Sequence, residues 1–293
     1  HRTNEILSGT VKRVVRGATL IVDLGKVEAI LPDRFYPKTE RYQVGDRIQA
    51  LLLEVQDTEN GGAEVILSRN HPEMVKQLFI QEVPELSDST IEIQKIVREA
   101  GYRSKLSVSS NDSRVDPLGA CVGVRGTRVK NVIRELNNEK IDIVIHTDDK
   151  IQLMLSLIHP IEPRKMNFDK ESNLISMIVD DEDYPIIIGK RGMNARLNAA
   201  LVEVELEVKK ASEHQTAQDL ERQLMKLEER PELDIKLNEV KGINAFVLDS
   251  LIEAGLDTPR KVLDKKVEEI SDTTGISKEM IHDVLEKIHK IKA

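Results

Sequence analysis

The chain has no tryptophan, only eight other aromatics (four Phe and four Tyr), and a single cysteine in 293 residues. One cysteine, Cys121, excludes an intramolecular disulfide framework and any cysteine-based zinc cluster. A reducing, cytoplasmic setting is expected. A 40% hydrophobic content beside 32% charged residues argues against one large core and for several small, charge-covered units. No run approaches the roughly 18–20 apolar residues of a membrane span, and no signal-peptide core opens the chain, so no membrane partner is expected. The chain begins at His1 rather than Met, as a fragment would. Enzyme motifs are missing too: no Gly-x-x-x-x-Gly-Lys-Ser/Thr, no His-Glu-x-x-His, no Gly-x-Ser-x-Gly. Gly189-Lys190 is not followed by Ser or Thr, so a nucleotide loop fails at its magnesium ligand. His282 and His289 lie two turns apart on one helix and read as solvated. No catalytic residue, metal ligand or cofactor is assigned, and the chain is not expected to be an enzyme.

As an average, the net charge of −8 argues against a nucleic-acid partner, but it is unevenly spread: residues 213–293 alone carry −5. Charges are screened over about 8–10 Å at physiological salt, so a basic cluster elsewhere can still hold phosphate.

Residues 6–68 alternate or are β-branched in five stretches (6–15, 18–24, 28–31, 47–57 and 64–68). Turns at Gly17, Gly25, Gly45 and Asn60-Gly61-Gly62 separate them, which predicts a small closed β-barrel. The pattern then reads as helix over 90–100, strand over 105–110, two helices ending with 127–136, and strand over 141–146. A similar series follows: helix near 150–158, strands 165–169 and 174–179, two short helices, and strand 203–209. These two series are an internal repeat. Ala120-Cys121-Val122-Gly123-Val124-Arg125-Gly126 lines up with Ile186-Ile187-Ile188-Gly189-Lys190-Arg191-Gly192 at an offset of 66 residues. Cys121, on the apolar side of the first copy with no His near it in sequence, reads as a small core residue. Residues 213–232 are polar and helix-favouring and read as a linker helix. Beyond them, Val240-Lys241-Gly242-Ile243 and Thr273-Thr274-Gly275-Ile276 each lead into a helical pattern, predicting a small all-helical unit.

A Gly-X-X-Gly turn between two helices has a definite chemistry. Glycine takes positive φ and lets another backbone approach closely, while the following helix offers free N–H groups and a positive dipole end to phosphate. Basic residues lie at the X positions or within the turns that follow: Arg125, Arg128, Lys130 and Arg134 in the first copy, and Lys190, Arg191 and Arg196, with Asn194, in the second. A lone Gly-X-X-Gly is an ordinary tight turn; two copies, each apolar before and basic after, point to binding.

The string Val115 to Gly126, followed by Asn138-Glu139-Lys140-Ile141-Asp142-Ile143-Val144, closely resembles the first KH domain of the NusA family of bacterial transcription factors. Ile188-Gly189-Lys190-Arg191-Gly192-Met193-Asn194-Ala195-Arg196-Leu197 resembles that family's second KH domain. The order barrel, KH, KH matches its S1–KH–KH core over about residues 1–210. The resemblance implies a multidomain chain: an all-β S1 (OB-fold) barrel over 1–83, two α/β KH domains of the prokaryotic type over 84–148 and 149–212, the linker helix, and an all-α helix-hairpin-helix or acidic-repeat-like domain over 233–293. It implies binding of single-stranded nascent RNA through Gly123, Val124, Arg125, Gly126, Arg128, Lys130, Gly189, Lys190, Arg191, Gly192, Asn194 and Arg196. Its further implication is modulation of pausing, termination and antitermination with RNA polymerase and other transcription factors, by a cytoplasmic monomer.

Departures from the family are also expected to matter. Its N-terminal polymerase-binding domain has no counterpart here. The barrel lacks an aromatic strand face for stacking bases, with Phe35, Tyr36 and Tyr42 as substitutes or as packing residues. The hairpin turns carry Asn244 and Ser277 where a second glycine would admit phosphate, and Phe246, Val247, Leu251, Ile252, Ile281, Leu285 and Ile288 are expected to build that unit's own core, leaving a protein-docking exterior. The rival readings are an RNA-binding accessory region of an RNA-degradation protein and a DNA/RNA scaffold.

Overall fold

A computed structural model describes residues 4–57, 63–215 and 233–290. The chain divides into two compact units, His1–Ala211 and Ser212–Ala293. The turn at 60–62 and residues 216–232 of the expected linker helix lie outside the described residues.

In the first unit, β1 (Ile6–Val14), β2 (Leu20–Asp23), β3 (Glu28–Leu31), β4 (Arg47–Asp57) and β5 (Ala63–Ser68) close a barrel in the order β1-β2-β3-β5-β4. Inward residues such as Val11, Leu20, Val22, Leu31, Ile48 and Leu67 fill it, as period-2 alternation requires. Of the two roles open to Phe35, Tyr36 and Tyr42, they take that of packing residues. Tyr36 is buried and donates its hydroxyl to the Ala18 carbonyl at 2.6 Å, Tyr42 bonds Glu40 at 2.7 Å, and Phe35 packs against the barrel core.

Helices α1 (Pro72–Glu82) and α2 (Pro84–Ser87) follow, each with proline in its first turn. Residues 91–99, expected as helix, form strand β6 (Ile91–Glu99) instead. A β-bulge between Ile93 and Lys95 explains the difference. It shifts the strand's period, so that Ile93, Ile96 and Val97 fall at the three- and four-residue spacings that read as helical. β6 pairs antiparallel with β7 (Arg103–Ser110), and β7 pairs parallel with β8 (Lys140–Ile145); α3 (Pro117–Val122) and α4 (Thr127–Glu135) connect them. Met74, Val75, Leu78 and Phe79 of α1 share a core with Leu106, Cys121, Val132 and Leu136. Each such burial stabilises by roughly 1.5–3 kcal/mol. Leu51 of β4 belongs to the same core, so α1 packs against both the barrel and the first α/β unit.

The second α/β unit repeats this pattern: α5 (Lys150–Ile158), β9 (Lys165–Asp169), β10 (Leu174–Val179), α6 (Tyr184–Ile188), α7 (Met193–Val202) and β11 (Glu205–Lys210). Its sheet again has one antiparallel and one parallel pairing. Val97 and Val144 of the first α/β unit pack into its core, so the two share buried surface.

Two buried arginines fasten barrel to first α/β unit. Arg69, its side chain 3% exposed, donates to both Glu40 oxygens, to the Gln49 carbonyl, and to the carboxylate and carbonyl of Glu135. Burial works against its charge, and the Glu40 carboxylate more than offsets this and raises its pKa. Arg98 on β6 grips buried Glu139 at 2.8–3.2 Å while donating to the carbonyls of Arg69 and His71.

The C-terminal unit holds α8 (Ala245–Glu253), α9 (Pro259–Leu263), α10 (Val267–Thr274) and α11 (Lys278–His289) around Val247, Leu251, Val262, Ile281, Val284 and Ile288. Leu285 packs against that core, but Phe246 and Ile252, expected inside it, are 68% and 40% exposed. Each falls a residue outside the buried stripe set by Val247 and Leu251. No helix among the described residues is long and apolar enough to cross a membrane.

Candidate nucleic-acid interface

The two Gly-X-X-Gly loops have one geometry. Gly123 (φ 74°, ψ 169°) and Gly189 (φ 70°, ψ 178°) end α3 and α6, in a backbone region open almost only to glycine. Arg125 and Arg191 follow at φ 54° and 53°, and Gly126 and Gly192 at φ 74° and 73° lead into α4 and α7. The contacts repeat as well. A Cβ on Gly123 would lie 2.7 Å from Arg128 Cγ, and one on Gly189 would lie 2.7 Å from Cβ of Asn194, the residue equivalent to Arg128. Arg128 Nη1 donates to the Ala120 carbonyl at 2.8 Å, and Asn194 Nδ2 to the equivalent Ile186 carbonyl at 3.0 Å. Lys130 Nζ donates to Arg125 O at 3.0 Å, and Arg196 Nη1 to Arg191 O at 2.6 Å.

These bonds divide the expected site residues into two groups. Val124 (80% exposed), Arg125, Lys130, Lys190, Arg191 and Arg196 lie on the surface. Arg128 and Asn194 are half-buried and turned inward; Arg128 also pairs with Glu85 at 3.0 Å. They tie each loop to the preceding helix and so position it rather than reach outward. Arg134 is not at the loop at all: it sits in the last turn of α4. Neither α4 nor α7 has a side-chain N-cap; Thr127 N–H and Met193 N–H donate to the Val124 and Lys190 carbonyls inside the loops, and the positive dipole end of each helix lies beside the exposed cations.

Between the two α/β units lies a cavity of about 500 Å³, lined by Arg103, Lys105 and Asp142 on one side and by Ile186, Ile187 and Asn194 on the other. Burial pulls the Lys105 pKa down, while Arg103 and Lys105 hold the Asp142 carboxyl below its ordinary value despite its burial. The Asn194 Oδ1 is buried without a hydrogen-bond partner. Ile186, beside the second loop, is 62% exposed, whereas Ile187, its neighbour in the same apolar run, is buried; the run itself carries no signal that separates the two. Cys121 is fully buried, and its thiol is pushed up to about 11 by burial, which leaves it unreactive.

Three family models match in series: an S1 RNA-binding domain over residues 1–69, a NusA-like first KH domain over 69–146, and a NusA-like second KH domain over 150–216. Among curated proteins, the transcription termination/antitermination protein NusA of Halalkalibacterium halodurans is 42% identical over 214 residues, covering 73% of this chain and 56% of that protein. The NusA of Bacillus subtilis is 39% identical over 71% of this chain and 56% of its own length. That of Borreliella burgdorferi is 30% identical over 97% of this chain and 56% of its own. The chain thus spans about half the length of the curated relatives it matches.

Proposed function

Through residues 1–216 the chain belongs to the NusA family, and from that premise we propose that it holds single-stranded RNA in its two KH loops and thereby acts on pausing, termination and antitermination by RNA polymerase. The observation that carries this reading is the repeated loop: two turns with matching dihedral angles, matching side-chain-to-carbonyl bonds, and exposed cations at the positive ends of two helices. A KH loop clamps about four nucleotides, with phosphate held against the glycines and bases read in the adjoining groove. The shared buried surface between the α/β units and the cavity between them favour one continuous RNA path over two independent sites.

The protein is a binding factor on this reading and carries out no chemistry. Its partners are single-stranded RNA, RNA polymerase and other transcription factors of the bacterial cytoplasm. A scaffold that grips duplex DNA through its C-terminal hairpins has less support. At the positions where a second glycine would expose backbone N–H groups, the Asn244 side chain accepts from Phe246 N at 2.9 Å and Ser277 from Met280 N at 3.5 Å. Those helix ends are already capped. The test is fluorescence anisotropy of labelled single-stranded RNA and duplex DNA at one salt concentration, repeated across salt. RNA should bind tighter, with log K falling by roughly 0.7 per neutralised phosphate for each unit of log salt. Equal binding of all sequences and both nucleic acids at every salt concentration would reject KH-type recognition.

A further inference from the structure

At the seam between the barrel and the first KH unit, three arginines from separate parts of the chain converge on one cavity of about 240 Å³. They are Arg41, just before the turn into β4; Arg47, at the start of β4; and Arg134, in the last turn of α4. All three are exposed, and among the described residues no hydrogen bond or ion pair of their guanidinium groups is present. The cavity's two acids do not neutralise them. Glu40 and Glu135 are both engaged by buried Arg69, which forms its floor. Four arginines against two glutamates leave the cavity positive by two charges. The floor is also rigid, since Arg69 spends its donors on Glu40, Glu135 and the Gln49 carbonyl. Open guanidinium forks over a fixed, positive floor suit phosphate oxygens, which they meet two at a time.

We propose that this seam is a second phosphate site, holding the backbone of the RNA where it continues past the first KH loop. The proposal rests on the KH reading above and extends it to a part of the barrel. Helix α4 supplies the connection. It begins at the Gly123–Gly126 loop and carries Arg134 in its last turn, a rise of roughly 10 Å from Thr127 at 1.5 Å per residue. Lys130 lies one turn before Arg134 on the same face, so cations line the way from loop to seam. The seam faces the β1/β4 side of the barrel, through Arg47 and Ile48, and not the β2–β3 face on which OB-folds commonly bind oligonucleotides. With Tyr36 and Tyr42 committed to internal bonds, the barrel contributes charge to RNA binding and no stacking platform.

The test uses the full chain with Arg41→Gln, Arg47→Gln and Arg134→Gln combined. Two RNAs serve as probes: a tetranucleotide, about what one KH loop clamps, and a strand of roughly ten nucleotides. The variant should bind the tetranucleotide as the parent does. It should bind the longer strand at least about tenfold more weakly at low salt, with a salt slope shallower by about two, as three lost phosphate contacts require. Replacing the same residues by Lys should restore most of the slope. Equal binding of the longer strand by variant and parent overturns the proposal, and so does equal weakening on both strands. Inorganic phosphate, titrated alone by calorimetry, is the remaining arm: saturable binding lost in the triple variant without any loss on the longer RNA would make the seam a free-anion site and overturn the RNA assignment. Failure of the KH reading shows separately, as a chain with Val124→Asp, Arg125→Asp, Lys190→Asp and Arg191→Asp combined that keeps full affinity for the tetranucleotide.

Discussion

Replacing Val124 and Arg125 together by Asp tests the first loop with little risk to the fold. Val124 is 80% exposed, and neither side chain has a hydrogen-bond or ion-pair partner among the described residues. Arg125 sits at φ 54°, a left-handed conformation that Asp tolerates better than most residues. Stability should therefore stay within the roughly 0.5 kcal/mol of an ordinary surface change. The charge at the loop moves from +1 to −2. At a phosphate about 7 Å away in water each unit is worth roughly 0.6 kcal/mol, and physiological salt about halves the total of three. One lost charge-assisted hydrogen bond adds roughly 1.5 kcal/mol or more. The sum, about 2–3 kcal/mol, corresponds to a roughly 30- to 150-fold rise in Kd. Anisotropy with a labelled single-stranded RNA measures it, and the melting curve of the same sample checks the fold. A variant that melts like the parent and binds within twofold of it would show that the loop is a plain helix–helix turn.

Gly123→Ala should cost more stability than Gly126→Ala. Both positions have positive φ, but only the first Cβ would strike the side chain of Arg128, which is tied to Ala120 and Glu85. Urea unfolding should separate them by about 1 kcal/mol or more, and equal losses would contradict the packing argument. Glu139→Gln should destabilise by roughly 3–5 kcal/mol, because Arg98, Gly101 N–H and Ser104 all converge on that buried carboxylate. A loss below 1 kcal/mol in the same assay would mean the pair is dispensable. Cys121, with its thiol at about 11, should resist a thiol reagent in the native protein from pH 7 to 9 and react once urea unfolds it; prompt native reaction would contradict its burial. Removing residues 233–293 should leave RNA affinity unchanged or raise it, given that stretch's capped helix ends and acidic balance; a large loss in a truncated chain with intact far-UV circular dichroism would assign the C-terminal unit an RNA contact.

Much of this architecture can be read in the chain because its signals are local. Barrel strands alternate with period 2 between glycine turns, and the repeat at 66 residues carries its own internal control, since chance rarely matches an apolar run, two glycines and two basic residues twice. What escaped the sequence depends on contacts between distant segments. The bulge in β6 changed the period of a strand and made it look helical. Arg128 and Arg134 lie on one helix and have the same chemistry; only the fold turns the first inward to Ala120 O and carries the second away to the barrel. The seam of Arg41, Arg47 and Arg134 has no motif at all. Phe246 and Val247 are adjacent, apolar and helical, and one is exposed while the other is buried.

The central claim is that the two KH loops form a single RNA-binding surface. Ultraviolet crosslinking of one single-stranded RNA, followed by peptide mapping, addresses it most directly. Crosslinks from the same strand should fall in both 117–135 and 184–202, and the Val124→Asp, Arg125→Asp change should weaken those at the second loop along with those at the first. Crosslinks confined to the β2–β3 face of the barrel or to residues 233–290, with both loops silent, would contradict the account.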